Sequence, residues 1–324
     1  MYRIAIIGGE THIGEVTSLR DKSLEVAAVA VRPEQMSWAE QAFRVAVYTD
    51  FRQMLDAIPV DVVAVANEND HKAEVVLEAL RRDKHVIVDK PMALHLEEVD
   101  AIERLAEEGG RRVLMLLTLR GNPWYRKVRS LAQSGVIGEP MQVYGKMSVE
   151  LKRDQRPAWF LDKDRAGGPI LDLAIHTIDQ VEWVTGLKLV EVTAYEANIS
   201  EPSDPKLIDS GAMFFRMSNG GTAVIEHNRV MPPGTGSDYR LDVVGTKGMV
   251  NLRFGTSLTV LTQEGQHQVP AAELGEPVSV VADWLYSLSG GKAALVPDAA
   301  SYRANRVACL AKMAADSGKT LQLG

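Results

Sequence analysis

The chain predicts an α/β protein in two parts: a doubly wound domain with a parallel sheet, then an α/β domain with a large, mostly antiparallel open sheet. Three observations carry this expectation. Short apolar runs alternate with helix-like segments up to about residue 118, the pattern of successive βαβ units. The first of those runs ends in Gly8-Gly9 and leads into a helix-like stretch, the start of such a unit. Beyond residue 120 the alternation stops, and long strand-like segments succeed one another. With 324 residues the chain also exceeds the size at which one core usually stops growing. The domains are therefore expected at 1–119 and 120–324.

Composition narrows the function. The apolar share of 46% and charged share of 24% are ordinary for a globular protein. A formal net charge of -7 disfavours nucleic acid or an anionic membrane as partner. The single cysteine, Cys309, rules out an intramolecular disulfide and a multi-cysteine zinc site, and fits a reducing cytoplasm. The first residues read as a core strand instead of a leader, and no apolar run reaches membrane-spanning length.

In the first domain, strands are expected at Ile4–Ile7, Leu24–Val31, Val45–Tyr48, Val60–Ala66, Lys84–Val88 and, at the boundary, Arg112–Thr118. Helices are expected at about His12–Leu19 and at Phe51–Ala57, Lys72–Arg82 and Leu96–Glu108. Open parallel sheets bind ligands beyond the carboxyl ends of their strands. Four loops carry polar groups there: Gly8, Gly9, Glu10, Thr11, His12, Ile13 and Gly14; Arg32; Asn67, Glu68, Asn69, Asp70 and His71; Asp89, Lys90 and Pro91. A dinucleotide lying across that edge accounts for them together. Gly8 suits the turn position of the G-x-G-x-x-G loop. Glu10 stands where the second glycine belongs, Gly14 falls one residue late, and Gly9 is left to let the backbone approach a pyrophosphate. Strand two ends in Val31-Arg32-Pro33, without the acid that usually holds the ribose of NAD. Arg32 could take a 2′-phosphate, which tilts the expectation from NAD toward NADP. Lys90, at the end of a buried strand and fixed by Pro91, is a cation aimed from a rigid edge.

In the second domain a helix from Pro123 to Ser134, stopped by Gly135, precedes strands at Met141–Leu151, Leu189–Ile199, Gly211–Met217, Thr222–Val230, Arg240–Gly245, Gly248–Arg253 and Leu258–Thr262. One further helix interrupts them. Gly167-Gly168-Pro169 leads into residues 170–184, whose apolar residues cover far more than the stripe of a surface helix. Asp172 and His176 stand at i and i+4 on its remaining face. An acid and a histidine in so apolar a setting suggest catalysis. Two ligands are too few for a metal, and none is expected.

Taken together, Asp89-Lys90-Pro91, Gly167-Gly168 with Asp172 and His176, Arg120-Gly121-Asn122-Pro123, residues 135–140 and Gly245-Thr246-Lys247-Gly248 resemble the glucose-fructose oxidoreductase / inositol dehydrogenase / MocA family. Its signature G-G-x-x-x-D-x-x-x-H is matched at every fixed position; its E-K-P has aspartate for glutamate. The resemblance implies a Rossmann domain, NAD or NADP as cofactor, a sugar, inositol or related polyol as substrate, and a homodimer or homotetramer. It also implies that Lys90 is the catalytic lysine, Asp172 the substrate-orienting acid and His176 the proton donor or acceptor, with Arg120 and Trp159 at the substrate. Two alternatives stay open: a redox-neutral glycosidase or epimerase with tightly held NAD, and a binding or sensor protein with impaired cofactor function.

Overall fold

The structure, a computed structural model, describes residues 1–9 and 11–324, with the backbone alone at Thr11. Glu10 and the Thr11 side chain, both expected at the cofactor, lie outside the described residues. The chain forms two units, Met1–Leu117 with Ser279–Asn305, and Thr118–Val278 with Arg306–Gly324.

The first unit runs β1 (Tyr2–Ile7), α1 (Gly14–Thr17), β2 (Leu24–Ala30), α2 (Met36–Phe43), β3 (Ala46–Tyr48), α3 (Phe51–Ala57), β4 (Val62–Val65), α4 (Asn69–Arg81), β5 (His85–Val88), α5 (Leu96–Gly109) and β6 (Val113–Met115). Its strands make a six-stranded sheet in the order β3-β2-β1-β4-β5-β6. All pairs are parallel. Every residue of β4 (Val-Val-Ala-Val) is buried, as expected of a central strand covered on both faces. Asp50 caps α3 by accepting the amides of Arg52 at 2.8 Å and Gln53 at 3.3 Å.

The second unit contains α6 (Pro123–Gln133), β7 (Pro140–Ser148), α7 (Lys163–Ala166), α8 (Ile175–Thr185), β8 (Leu189–Ala197), β9 (Ser210–Met217), β10 (Thr222–Asn228), β11 (Asp238–Gly245), β12 (Gly248–Arg253), β13 (Ser257–Thr262) and β14 (Gly265–Gln268). The chain continues with α9 (Val280–Leu288), α10 (Asp298–Ser317) and β15 (Leu321–Gln322). The larger sheet has the order β14-β13-β12-β11-β7-β10-β9-β8-β15. Only β7 and β10 pair in parallel among its described strands. Gly145 in β7 admits α8, because a Cβ there would sit 2.3 Å from the Thr177 methyl. Among the described residues no helix is long and apolar enough to cross a membrane.

The chain division differs from the expected one. Residues 279–305 belong with the first unit, where the sequence assigns all of 120–324 to the second domain. The reason is polar bookkeeping at an edge strand, which must find partners for its outward amides. Beside β6, Ser301 Oγ accepts the Met115 amide at 2.9 Å and Asp298 the Val113 amide at 3.3 Å. Asn305 accepts the amides of Met92 at 2.8 Å and Ala93 at 3.3 Å and donates to the Ala93 carbonyl at 2.9 Å. It thus pins the loop that follows the cis Lys90–Pro91 bond.

One buried group of the larger sheet sets an expected pH dependence. His227 lies on the inner face of β10, 1% exposed, and both ring nitrogens lack a partner among the described residues. Burial, and then the charge of Arg229, drive its pKa down to about 3. An unfolded histidine titrates near 6.5, so the unfolded state binds the extra proton between those values. Stability should therefore fall as pH drops from about 6.5, at up to about 1.4 kcal/mol per pH unit. Glu196, which burial pushes up to about 7, acts oppositely, gaining stability as pH falls through that value. Urea unfolding of the parent and of His227→Gln isolates the histidine: their difference should tilt with pH below 6.5, whereas parallel curves would remove this assignment.

Candidate active site

The first unit gathers its polar groups beyond the ends of β1, β2, β4 and β5. Gly8 has φ +85°, and a Cβ on it would lie 2.3 Å from the Ala66 carbonyl oxygen, so only glycine lets the end of β1 lie against the end of β4. Gly9, expected to let the backbone approach a pyrophosphate, packs against Trp38, whose ring a Cβ there would strike at 2.5 Å. Gly14 does not serve as the packing glycine of the loop either. A Cβ on it meets nothing within 4 Å, and α1, which it opens, is only 4 residues long. Ile13 ends the short 3₁₀ turn before it.

His12 is drawn across to the end of β5, where its Nδ1 lies 2.8 Å from Asp89. Asp89 is 1% exposed. Burial alone would raise its carboxyl pKa, but the charge of Lys72, the His12 hydrogen bond and the charges of His12 and Lys90 hold it well below the usual range. Lys72 is itself fully buried; it donates to Asn69 Oδ1 at 2.8 Å and to the Lys90 carbonyl at 3.3 Å. Lys90, 7% exposed, is therefore fixed on its own backbone side by Lys72 and downstream by the Asn305 clasp.

Next to this edge lies a cleft of about 330 Å³ lined by Gly8, Val31, Arg32, Asn67, Glu68 and His71, among others. Arg32 donates to Glu68 and approaches Glu34 at 2.9 Å. The arginine expected to greet a 2′-phosphate is thus already held between two carboxylates. Asn67 Oδ1 is buried without a hydrogen-bond partner among the described residues, an acceptor available to a ribose or amide N–H or O–H. The glycine turn, this acceptor and the cleft suit a dinucleotide.

In the second unit the expected continuous helix begins as a π-helix over Ile170–Ala174 and becomes α8 only at Ile175. Asp172 thus lies in the π turn and His176 in the first turn of α8; such turns recur at functional sites. Both residues are buried. Asp172 is bonded to Arg229, which follows β10 and is buried too. The Arg229 guanidinium also lies 4.8 Å from the centre of the Phe160 ring.

Arg120, expected at the substrate, is buried and engages Asp179. Its guanidinium grips Asp179 from two nitrogens, at 2.7 to 3.2 Å, and lies 5.5 Å from the centre of the Trp183 ring. Trp159 is 5% exposed and packs edge-on against Phe160 at 5.7 Å. Its indole N–H has no partner among the described residues. Lys72, Arg229 and Asn305 were not singled out from sequence, and Glu68 was named only as one of the loop residues after strand four. Only Lys72 left a signal, since it falls on the face of α4 that also buries Val75, Val76 and Ala79.

Comparison with known proteins agrees with this layout. Residues 2–117 match the family model described as an oxidoreductase family with an NAD-binding Rossmann fold, and residues 125–251 match the C-terminal domain model of the same family. The chain belongs to the Gfo/Idh/MocA oxidoreductase family. It is 28% identical over 279 residues to the myo-inositol 2-dehydrogenase of Thermotoga maritima, covering 81% of this chain and 78% of that protein. An oxidoreductase structure from the same organism superposes with a TM-score of 0.92, at 24% identity and 99% coverage of both chains. A levoglucosan dehydrogenase bound to NADH and levoglucosan has a TM-score of 0.85 at 19% identity, with 99% of both chains covered, a likeness of fold alone. Members of this family are NAD-binding oxidoreductases, and the two-unit α/β architecture is theirs.

Proposed function

We propose that this member of the Gfo/Idh/MocA family is an NAD-dependent dehydrogenase that oxidises a secondary alcohol of a polyol or sugar derivative. The observation that carries the reading is the buried Asp172, clamped by Arg229 on the π turn that leads to His176, in a chain that also presents Lys90 at a sheet end. NAD, when bound, would supply the acceptor for the hydride that leaves the carbinol carbon. His176 takes the hydroxyl proton as general base, the role its imidazole nitrogen can fill. The Lys90 cation stabilises the developing alkoxide. Asp172 orients the hydroxyl and, being ionically fixed, needs no rearrangement as charge develops. In the reverse direction the imidazolium of His176 returns the proton to the ketone. Support by likeness comes from the relative named myo-inositol 2-dehydrogenase.

NAD is favoured over NADP because Arg32 is already neutralised. A 2′-phosphate would bring a charge of about -1.5 to -2 beside Glu34 and Glu68, whereas Glu68 can accept ribose hydroxyls and so stand in for the missing acid of strand two. Fluorescence titration with NADH and NADPH tests this. The parent should bind NADH at least about tenfold more tightly. Glu68→Gln should weaken NADH and strengthen NADPH. Equal affinities in the parent, or tighter NADPH, would reverse the assignment.

A further inference from the structure

Arg156 and Arg229 both lie against the Phe160 ring, and Asp172 is bonded to Arg229. Arg153 is closed off by Glu201 at 2.6 Å and Asp204 at 3.2 Å, and Arg229 by Asp172. Arg156 has no acidic partner among the described residues; its one bond is from Nε to the Leu151 carbonyl, at 3.4 Å. It is nevertheless half-buried, with its guanidinium 4.3 Å from the centre of the Phe160 ring, the same ring on which Arg229 lies. Two guanidiniums thus share one aromatic residue, and of the two only Arg229 is ion-paired among the described residues. Burial, and then the charge of Arg229, work against the positive form of Arg156, with Asp172 opposing. A half-desolvated cation held beside a like charge lacks a counter-ion. A second feature of the same cluster also asks for an acceptor: the buried Trp159 indole N–H, unpartnered among the described residues, sits on the residue next to Phe160. Both leftover groups are donors only.

We propose that Arg156 binds a carboxylate of the substrate, so that the alcohol oxidised is carried by a sugar acid or other hydroxy acid and not by a neutral polyol. The inference rests on the dehydrogenase reading and narrows its substrate class. A planar guanidinium matches a carboxylate through two parallel N–H donors. One excess positive charge matches one carboxylate, while a phosphate monoester would overcompensate it.

The test uses the intact protein with galacturonate and gluconate as probes, galactose and glucitol as neutral counterparts, and glucose 6-phosphate as the phosphate counterpart. Thermal unfolding reads binding, and NADH absorbance reads turnover. The acids should raise the melting temperature and be oxidised with a KM at least about tenfold below that of the neutral compounds. Arg156→Gln should raise the KM for the acids by about 10- to 100-fold, mainly in KM and not in kcat. Arg156→Lys, which keeps the charge but loses the fork, should recover part of that loss and guards against a folding defect. Four results would overturn the inference: neutral sugars bound or turned over as well as the acids, glucose 6-phosphate preferred, no binding of either acid, or a folded Arg156→Gln that loses NADH affinity alone. Acids that bind without reducing NAD would keep the anion site and remove the dehydrogenase reading. Neutral polyols oxidised with no preference for acids would do the converse.

Discussion

Lys90→Ala is expected to lower kcat by about 10²–10³, the usual loss when one preorganised donor to a developing oxyanion is removed. His176→Asn should cost about 10²–10⁴ through the missing proton acceptor. Neither change should move the affinity for NADH by more than a few-fold. Steady-state kinetics together with NADH titration separate the two readouts. Because Lys90 is buried, Lys90→Met is the better control for packing: it keeps the stem and loses the charge, so it should be as slow as the alanine variant while melting closer to the parent. Activity within about fivefold of the parent in both variants would place the lysine outside the chemistry and make it a structural cation of the β5 edge.

The second large effect belongs to Arg229. Its side chain and that of Asp172 are only 6% and 10% exposed. Arg229→Met strands a buried carboxylate without its counter-charge, which should cost about 3–5 kcal/mol and shift the urea midpoint accordingly. The double variant Asp172→Leu/Arg229→Met should regain much of that stability, because buried ion pairs are often replaceable by apolar groups of similar volume. It should nevertheless remain inactive. A single variant that loses less than about 1 kcal/mol would mean that the carboxylate finds water or another donor, and the clamp would not be the fixed orienting device described above.

The parallel sheet was legible because its strands, buried on both faces, stand out as continuous apolar runs such as Val62–Val65. The larger sheet was legible from alternation, as in β10, where Ala223, Ile225 and His227 turn inward. Two of its strands, β14 and β15, were not expected: Gly265–Gln268 is wholly exposed and polar, and Leu321–Gln322 is too short to show a period. The π turn was hidden for a different reason, since a wheel drawn at the α-helical period cannot register a change of period within one turn. Asp172 and His176 could be placed on one segment by spacing, but the arginine holding Asp172 follows a strand 57 residues away, and a lone arginine after a strand looks like any solvated cation. The same holds for Asp89, whose bond to His12 spans 77 residues. The bond of Arg120 to the buried Asp179, 59 residues away, was likewise not visible in the sequence. The helices α9 and α10 were not expected from the sequence, nor was the sheet that their polar side chains complete.

The most direct measurement of the central claim is the fate of a carbon-bound deuterium. Incubation of the protein with NAD and carbon-deuterated inositol, galacturonate and gluconate, followed by mass spectrometry of the nucleotide, should show one deuterium in NADH for each ketone formed, and no such transfer with Lys90→Ala or His176→Asn. Product formed with the label lost to water, or with the nicotinamide left oxidised at the end of turnover, would contradict net hydride transfer to NAD.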